Sequence, residues 1–298
     1  MNEKYKQDFL KAGALAGEVR AFGKALIKKG ASYNDVILKI NQKITAGGAR
    51  AAFPPQMALN DVAAHFLPAP GQDIIFSNEV VKLDVGVAYN GAIGDCAVTV
   101  DLSGKHQPLI DAAEAALLAA EKSIKVGLPI REIGKIIEET IAARGFTSIK
   151  NLAGHGLGYY KIHMPPSIPN YDNRSKHIIK PGMTFAIEPF ATNGKGLIYE
   201  EGMATIFSFV TKKPVKTERA KKLVERIMNF QGLPFAIHDL ISFDMPLLDV
   251  KHALSELLVV GSIAGYGPLI EEERGFVAQA ENSVLVDDSG KVFITTRL

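Results

Sequence analysis

The spacing of apolar residues divides the chain into helical and extended segments. Apolar positions recur at helical intervals from residue 5 to residue 29 and again from residue 34 to residue 46. This spacing predicts two amphipathic helices that end near Gly30 and Gly47. The period changes to two between Val80 and Val100, and Asn90-Gly91 lies in the middle of that stretch. The segment is therefore predicted to form a β-hairpin.

The same succession of elements recurs further along the chain. Helical spacing predicts helices at 108–125 and 131–144, and strand-like segments follow at 184–190 and 203–210. Two helices followed by sheet, twice over, suggest two related halves that face each other across a cleft. We therefore expect an α+β fold formed by a single domain, residues 1–298.

A charged and mostly helical segment interrupts the second half. It covers residues 216–274, with helices predicted at 218–228 and 247–259, and strands resume at 276–286 and 292–296. The simplest interpretation is a helical insertion within the second half of the domain.

Composition excludes several classes of protein. The 298 residues are 47% hydrophobic and 22% charged, with 34 basic and 32 acidic side chains, which is typical of a globular domain and not of a disordered or fibrous chain. The charges are mixed in sign, so the sequence predicts no nucleic-acid partner, and no apolar run approaches the ~20 residues of a membrane span. A single cysteine and the lack of a signal region predict a cytoplasmic protein.

The hairpin carries two aspartates among apolar residues. If Asn90-Gly91 is a two-residue loop, Asp84 faces Ala97 and Asp95 faces Gly86, so both carboxylates project from one face, roughly 7–8 Å apart at their backbones. Either aspartate alone could cap a turn or pair with a surface lysine. Two buried like charges this close require a strongly raised pKa or a positive partner, and a cation is the economical solution.

Three further residues extend this acidic set. Glu188 and Glu281 each lie within an apolar, strand-like segment, and His155 lies between two glycines. A lone histidine in such a context is more often a structural residue. Together with the aspartates, however, four carboxylates balance two divalent cations, and oxygen ligands with one imidazole suit manganese, iron, cobalt or zinc. Two-metal centres of this kind activate water for hydrolysis.

Two more histidines are candidates for contact with a substrate. His65 and His163 have no ligand partner four residues further along the chain, so neither indicates a helix-borne zinc motif. Each could hydrogen-bond a carbonyl oxygen or a leaving amine, although each alone is more often structural.

Taken in order along the chain, these motifs resemble those of the methionine aminopeptidases, specifically the short archaeal form of the type 2 branch. The resemblance covers essentially the whole chain and rests on the following segments: Phe53-Pro54 with Asn60-Asp61 and Ala64-His65, Lys82-Leu83-Asp84-Val85-Gly86, Gly94-Asp95-Cys96-Ala97, Gly154-His155-Gly156 with Tyr160, Ile162 and His163, and Phe185-Ala186-Ile187-Glu188-Pro189-Phe190 with Gly194-Lys195-Gly196. The segment at 216–274 is similar to the insertion that separates type 2 from type 1 enzymes.

The resemblance implies a pita-bread fold, in which two pseudo-symmetric halves of curved antiparallel sheet with outer helices enclose a dinuclear metal site. It implies removal of the initiator methionine from nascent polypeptides, favoured by a small second residue. The implied metal ligands are Asp84, Asp95, His155, Glu188 and Glu281, with Asp95 and Glu281 bridging. Glu188 would also accept a proton from the attacking water.

The resemblance also assigns the residues that contact the substrate. His65 and His163 would stabilise the tetrahedral intermediate and assist the leaving amine, and Phe53, Ile162 and His163 would line the methionine pocket. We expect a monomer with no membrane partner, and ribosome association stays open.

One departure from the family pattern surrounds Glu281. The family has Phe before this glutamate and His after it, whereas this chain has Ala280 and Asn282. Neighbouring residues orient metal ligands, so metal preference and pocket shape can differ. The alternatives are a proline-directed peptidase of the same fold, which normally has an additional N-terminal domain, and a metal-free binding protein, which would have lost ligands.

Overall fold

The computed structural model describes residues 2–298, in which seven helices and eighteen strands are formed. The helices are α1 Glu3–Leu26, α2 Tyr33–Ala46, α3 Gln107–Ser123, α4 Ile130–Ala142, α5 Glu218–Met228, α6 Ile237–Leu240 and α7 Leu247–Val259. The first nine strands are β1 Arg50–Ala51, β2 Gln56–Leu59, β3 Val62–Ala64, β4 Val80–Tyr89, β5 Ala92–Asp101, β6 Thr147–Ser148, β7 Ala153–Gly158, β8 Lys161–Pro169 and β9 Thr184–Ile187. The others are β10 Phe190–Thr192, β11 Ile198–Glu200, β12 Ile206–Phe209, β13 Phe235–Ala236, β14 Ile263–Tyr266, β15 Leu269–Glu271, β16 Val277–Gln279, β17 Asn282–Val286 and β18 Val292–Ile294.

The first half of the domain packs α1 and α2 against the β4–β5 hairpin. Asn2 and Ser32 cap the two helices, because the side chain of each accepts a hydrogen bond from a backbone N–H in the first turn. The apolar stripes of the helices meet alternate residues of the hairpin, and Ile40, Leu83 and Val85 are fully buried between them. Because β4 alternates, its other face is left for Asp84.

The second half repeats this arrangement with α3 and α4. Their apolar faces pack on β9 and β17, with Ile137, Phe185 and Val284 in the shared core. The predicted order of two helices followed by sheet, present twice, is therefore confirmed in the structure.

The strands form antiparallel sheets that meet in the middle of the molecule. In the first half β1 and β2 pair with one edge of β4 while β5 pairs with the other, and in the second half the order is β18-β17-β9-β7-β8. Side chains link the two halves: the Asp95 N–H donates to Ser283 Oγ, and the Ser283 hydroxyl donates to the Asp95 carbonyl oxygen, each at 2.8 Å. The hairpin and β17 are thus held side by side.

The segment at 216–274 contains the two helices that the spacing predicts, α5 and α7, and they pack on a core of their own with Leu223, Leu254 and Phe235. It also contains α6 and three short strands. Of these, β15 pairs with β3 and β11, so the end of the segment is part of the surrounding sheet. Within residues 2–298, no helix has both the length and the apolar character that a membrane span requires.

Candidate metal centre

The β4–β5 hairpin places two aspartates on one face, as predicted. The ladder pairs Tyr89 with Ala92, Asp84 with Ala97, and Gly86 with Asp95. Asp95 is 2% exposed. Within residues 2–298, Oδ1 of Asp84 and Oδ1 of Asp95 are buried without a hydrogen-bond partner, which is costly unless another group neutralises them.

The two glutamates lie where a pair of strands passes from one sheet to another. The predicted strands at 184–190 and 276–286 are each broken: β9 pairs with β17, β10 pairs with β16, and residues 188–189 face 280–281 at the transition. Pro189 has no N–H to donate to a ladder, and its carbonyl oxygen accepts from the Ala280 N–H at 3.2 Å. Glu188 and Glu281 are therefore outside both strand ladders, so the alternation of side chains along a strand does not determine their direction. Both line the same cavity as the aspartates.

His155 completes the cluster from β7, at a bulge in its pairing with β8. Its Nε2 lies 3.6 Å from Asp95 Oδ2 and 3.8 Å from Glu188 Oε1. Its Nδ1 lies 3.3 Å from both the Gly156 carbonyl oxygen and the His163 N–H nitrogen. With the proton on Nε2, Nδ1 accepts from the His163 N–H; with the proton on Nδ1, the ring donates to the Gly156 carbonyl oxygen and leaves the Nε2 lone pair directed at the carboxylates. The second tautomer is the one that a metal-binding histidine requires.

The electrostatics of the cluster favour a bound cation. Burial raises the pKa of Asp84 to about 7, and burial together with the neighbouring acids raises the pKa values of Asp95, Glu188 and Glu281 well above their usual ranges. Burial, and then the proximity of His163, lowers the pKa of His155 to about 3, so its ring is neutral at pH 7. Ligand atoms of Asp95, His155 and Glu281 lie within 4.8 Å of one another, and a divalent ion suits this donor set.

His65 and His163 lie in the same cavity, each with a left-handed backbone, φ 60° and φ 56°. Nδ1 of His65 is buried without a hydrogen-bond partner within residues 2–298, and burial lowers its pKa to about 4. The ring of His163 packs edge-on against His155, with centroids 4.4 Å apart. Burial lowers the pKa of His163 as well, so both imidazoles are neutral at pH 7 and lie near the cluster.

One cavity of about 160 Å³ is lined by all nine residues that the sequence analysis selected: Phe53, His65, Asp84, Asp95, His155, Ile162, His163, Glu188 and Glu281. It is also lined by residues that the sequence analysis missed, which are Gln56, Ala64, Leu152, Ala153, Phe190, Ile206, Pro234, Tyr266 and Leu269. Gln56 has a direct contact with the acids, since its Nε2 lies 3.3 Å from Asp84 Oδ2. No signal in the sequence singles it out, because it lies on a four-residue strand that is too short for its period to be recognised.

A second and larger cavity, about 410 Å³, lies next to the first. Phe53 and Pro234 line both cavities and separate them. The ring of Phe53 fits against Gly86, where a Cβ atom would lie 2.2 Å from Phe53 Cε1. The glycine opposite Asp95 therefore fixes the position of this wall.

The two residues that depart from the family pattern lie away from the cavity. Ala280 is buried in the apolar core of the second half. The Asn282 side chain donates to Glu121 Oε1 at 2.6 Å and accepts from Arg20 Nη1 at 2.9 Å. Its amide therefore belongs to a polar network behind Glu281.

Comparisons with known proteins show the family of the chain. The model of metallopeptidase family M24 matches residues 7–287. A methionine aminopeptidase of Thermococcus onnurineus is 38% identical over 294 residues, which are 98% of this chain and 99% of that protein.

Solved structures share the fold. The methionine aminopeptidase of Thermotoga maritima superimposes with a TM-score of 0.71 at 20% identity, over 100% of this chain and 98% of that chain. A thermophilic Arx1 superimposes with a TM-score of 0.85 at 13% identity, over 99% and 91%. They confirm the predicted pita-bread architecture. With a family match across nearly its whole length, the chain belongs to metallopeptidase family M24.

Proposed function

We propose that this protein removes the N-terminal methionine from polypeptides by metal-dependent hydrolysis. The observation that carries the proposal is the single cavity in which four buried carboxylates and His155 meet two further histidines and an apolar wall. The full-length similarity to a protein named methionine aminopeptidase supports the substrate. A buried cluster of acids with raised pKa values is an arrangement expected of a catalytic centre and is destabilising in a merely structural core.

The metal set that we propose is two divalent ions held by Asp84, Asp95, His155, Glu188 and Glu281. The resemblance implies Asp95 and Glu281 as the bridging residues, and we adopt this assignment. Their ligand atoms and that of His155 lie within 4.8 Å of one another. Cobalt, manganese, iron and zinc all suit this donor set. When bound, such ions lower the pKa of water and polarise a substrate carbonyl.

The residues of the chain divide the remaining work. Glu188, whose pKa burial raises, accepts the proton of the attacking water and returns it to the leaving amine. His65 has a buried Nδ1 with no partner in the described chain, so it can hydrogen-bond the substrate, and His163 lies on the same cavity. Both are neutral at pH 7 and can stabilise negative charge on oxygen by donating a hydrogen bond.

The apolar part of the cavity would take the methionine side chain. Phe53 and Ile162 provide this surface in our proposal, and Phe190 and Ile206 extend it. The preference for a small second residue is the part of this proposal that rests on the resemblance to the methionine aminopeptidases. Nascent chains are the natural source of such N-termini.

The finer assignment is the type 2 branch, on the strength of the segment at 216–274 within one catalytic domain. It adds α5 and α7, which pack in one core with Phe235, the residue after Pro234 of the cavity wall. We also propose that the enzyme is a monomer and is located in the cytoplasm. Its association with the ribosome can be tested by binding experiments.

The decisive experiment measures free methionine released from a Met-Ala-Ser peptide. Chelator-stripped protein is assayed before and after addition of Mn²⁺ or Co²⁺, beside a peptide with proline in second position and a Gly-Pro dipeptide. Metal-dependent cleavage of Met-Ala is expected. Cleavage of Gly-Pro alone would indicate a proline-directed peptidase. If the protein binds metal but cleaves none of the peptides, it would be a binding protein.

A further inference from the structure

Arg20, near the C-terminal end of α1, directs its guanidinium at the backbone behind the metal centre. Nη1 donates to the Glu281 carbonyl oxygen at 2.7 Å, and Nη2 donates to the Thr296 carbonyl oxygen at 3.0 Å. Nη1 also lies 3.5 Å from the carbonyl oxygen of Ala97. A single side chain thus reaches β5, the start of β17 and the segment after β18.

Close packing of α1 makes this reach feasible. At Gly17, one turn before Arg20, a Cβ atom would lie 2.5 Å from the Thr296 carbonyl oxygen. At Gly94, a Cβ atom would lie 2.5 Å from the carbonyl oxygen of Ala12. The glycines let the helix lie directly on the strands, so the Arg20 stem extends along their ends.

The contact with Glu281 matters because this residue lies in the break between β16 and β17. Its N–H donates to the Ala97 carbonyl oxygen at 3.2 Å, and its carbonyl oxygen accepts from Arg20. Ala97 is two residues beyond Asp95 on the same strand. Arg20 and Ala97 together therefore fix the backbone of Glu281 relative to that of Asp95.

A buried network holds the Arg20 guanidinium in place. Asn282 Oδ1 accepts from Arg20 and from the Thr296 hydroxyl at 2.8 Å. The Asn282 amide in turn donates to Glu121, which forms an ion pair with Arg297. Asn282, which stands where the family has His, is thus the acceptor for Arg20 and not a second contact to metal.

We propose that Arg20 is a positioning residue that sets the separation of Asp95 and Glu281, and with it the affinity of the metal centre. This inference rests on the metal ligands of the proposed function. It concerns the spacing of two ligands on segments from different sheets, Asp95 on β5 and Glu281 immediately before β17. The Glu281–Ala97 backbone hydrogen bond and the contacts of Arg20 join these segments.

Electrostatics and positioning predict opposite results when Arg20 is replaced. Removal of a positive charge close to a cation site should by itself strengthen metal binding. Loss of the two carbonyl contacts should loosen Glu281 and weaken metal binding, by about 10–100-fold where a supporting partner of a metal ligand is lost. The sign of the change therefore separates the two roles.

The test is calorimetric titration of chelator-stripped Arg20→Met with Mn²⁺, after circular dichroism has established that the variant is folded. We expect affinity for at least one metal to fall by about tenfold or more. At saturating Mn²⁺, kcat should fall while the KM for the Met-Ala-Ser peptide stays within about twofold, because no substrate contact is removed. Lys24→Met, one turn further along α1 and exposed, removes the same charge and should leave affinity unchanged.

Arg20→Lys gives a second, milder variant. It keeps the charge and the aliphatic stem, but one ammonium group cannot span the carbonyl oxygens of Glu281 and Thr296 as the fork does. We expect it to fold and to bind Mn²⁺ with an affinity between those of wild type and Arg20→Met. If Arg20→Met does not fold, the Mn²⁺ affinity of Arg20→Lys is the test of the positioning role. A folded Arg20 variant with unchanged or tighter Mn²⁺ binding would overturn the inference. Wild-type protein that binds Mn²⁺ but cleaves no peptide would contradict the proposed function and leave this binding test intact.

Discussion

Gln56 lies directly opposite Asp84 in the β2–β4 ladder, and its side-chain amide donates to Asp84 Oδ2 at 3.3 Å. The carbonyl end of the same side chain accepts from the Phe66 N–H at 3.1 Å. Gln56 therefore connects a proposed metal ligand to the residue that follows His65. A single amide orients groups on both the metal and the substrate sides of the cavity.

We predict that Gln56→Leu weakens metal binding and turnover together. Leucine fills a similar volume but removes the Gln56 donor from Asp84 and leaves Phe66 without its acceptor. Loss of such a partner typically costs 10–100-fold in metal affinity or activity. Mn²⁺ titration and kcat measurement check this, with the exposed Gln72→Leu as the matched control. Wild-type affinity in Gln56→Leu would show that Asp84 needs no orientation.

The raised pKa of Asp84 predicts an unusual dependence of stability on pH in metal-free protein. Its folded pKa of about 7 exceeds the ~3.9 of an unfolded aspartate, so its contribution to stability is fully present below about pH 4. That contribution is lost as pH rises from the unfolded pKa through the folded one, at about 1.4 kcal/mol for each pH unit in that window. Asparagine does not titrate and avoids this loss.

Asp84→Asn is therefore expected to become more stable than wild type, both metal-free, as pH rises from about 4 to 7, with a plateau above. Urea unfolding in EDTA at several pH values measures the difference. Asp95, Glu188 and Glu281 add to it with the same sign, because the charge of Asp84 helps to raise their pKa values and asparagine removes that charge. The exposed Asp35→Asn provides the control. Addition of Mn²⁺ should reverse the order, because only wild type keeps the full ligand set. A difference independent of pH would contradict the assignment of a buried carboxylate with a raised pKa.

Asp95→Asn tests the proposed bridging role. A neutral amide cannot bridge two cations, so at least one metal should be lost, and activity should fall about 100-fold or more. Metal content after dialysis and methionine release from Met-Ala-Ser are the two measurements. Full activity with two metals bound would remove Asp95 from the proposed centre.

The sequence predicts the aspartate pair well because its geometry is local. Asn90-Gly91 sets the turn, period two sets the faces, and the observed pairing of Asp84 with Ala97 follows from these two facts alone. The breaks at Glu188 and Glu281 are different, since each strand on its own looks continuous. They arise because Ile187 pairs with Asn282 in one sheet and Phe190 with Gln279 in another. These pairings depend on the tertiary arrangement of the sheets, and the sequence of each strand alone does not indicate them.

Other residues of the cavity lie on strands that are too short to be predicted from the sequence. Gln56 and Tyr266 lie on four-residue strands, too short for a reliable period. The role of Arg20 could not be predicted either. The spacing of apolar residues indicates the helix on which it lies, but not the carbonyl groups that its side chain contacts. His65 and His163 are located in the cavity through resemblance to a family, whereas their own sequence contexts favour a structural role.

His65→Ala should separate metal binding from turnover. His65 lines the cavity, and the cluster of Asp95, His155 and Glu281 does not include it, so metal content should be unchanged. Turnover should fall by about 10²–10³, the usual cost of removing a donor that stabilises developing negative charge. Methionine release at saturating Mn²⁺ measures this effect, with the exposed His177→Ala as control. An unchanged kcat would exclude His65 from catalysis.

Phe53→Ala should change which N-terminal residue is accepted, because Phe53 separates the metal cavity from the second cavity of about 410 Å³. Removal of the ring joins the two spaces and gives longer or bulkier side chains a place to extend. The contact surface for methionine shrinks at the same time, so kcat/KM for Met-Ala-Ser should fall while peptides with N-terminal homophenylalanine become substrates. The ratio of the two kcat/KM values is the measurement.

Phe190→Ala is the matched control, since Phe190 lines the metal cavity but not the second one. Both variants lose a buried ring and comparable stability, so a gain of the bulky substrate in Phe53→Ala alone identifies the partition. Equal ratios in the two variants would mean that Phe53 bounds the cavity without setting its depth.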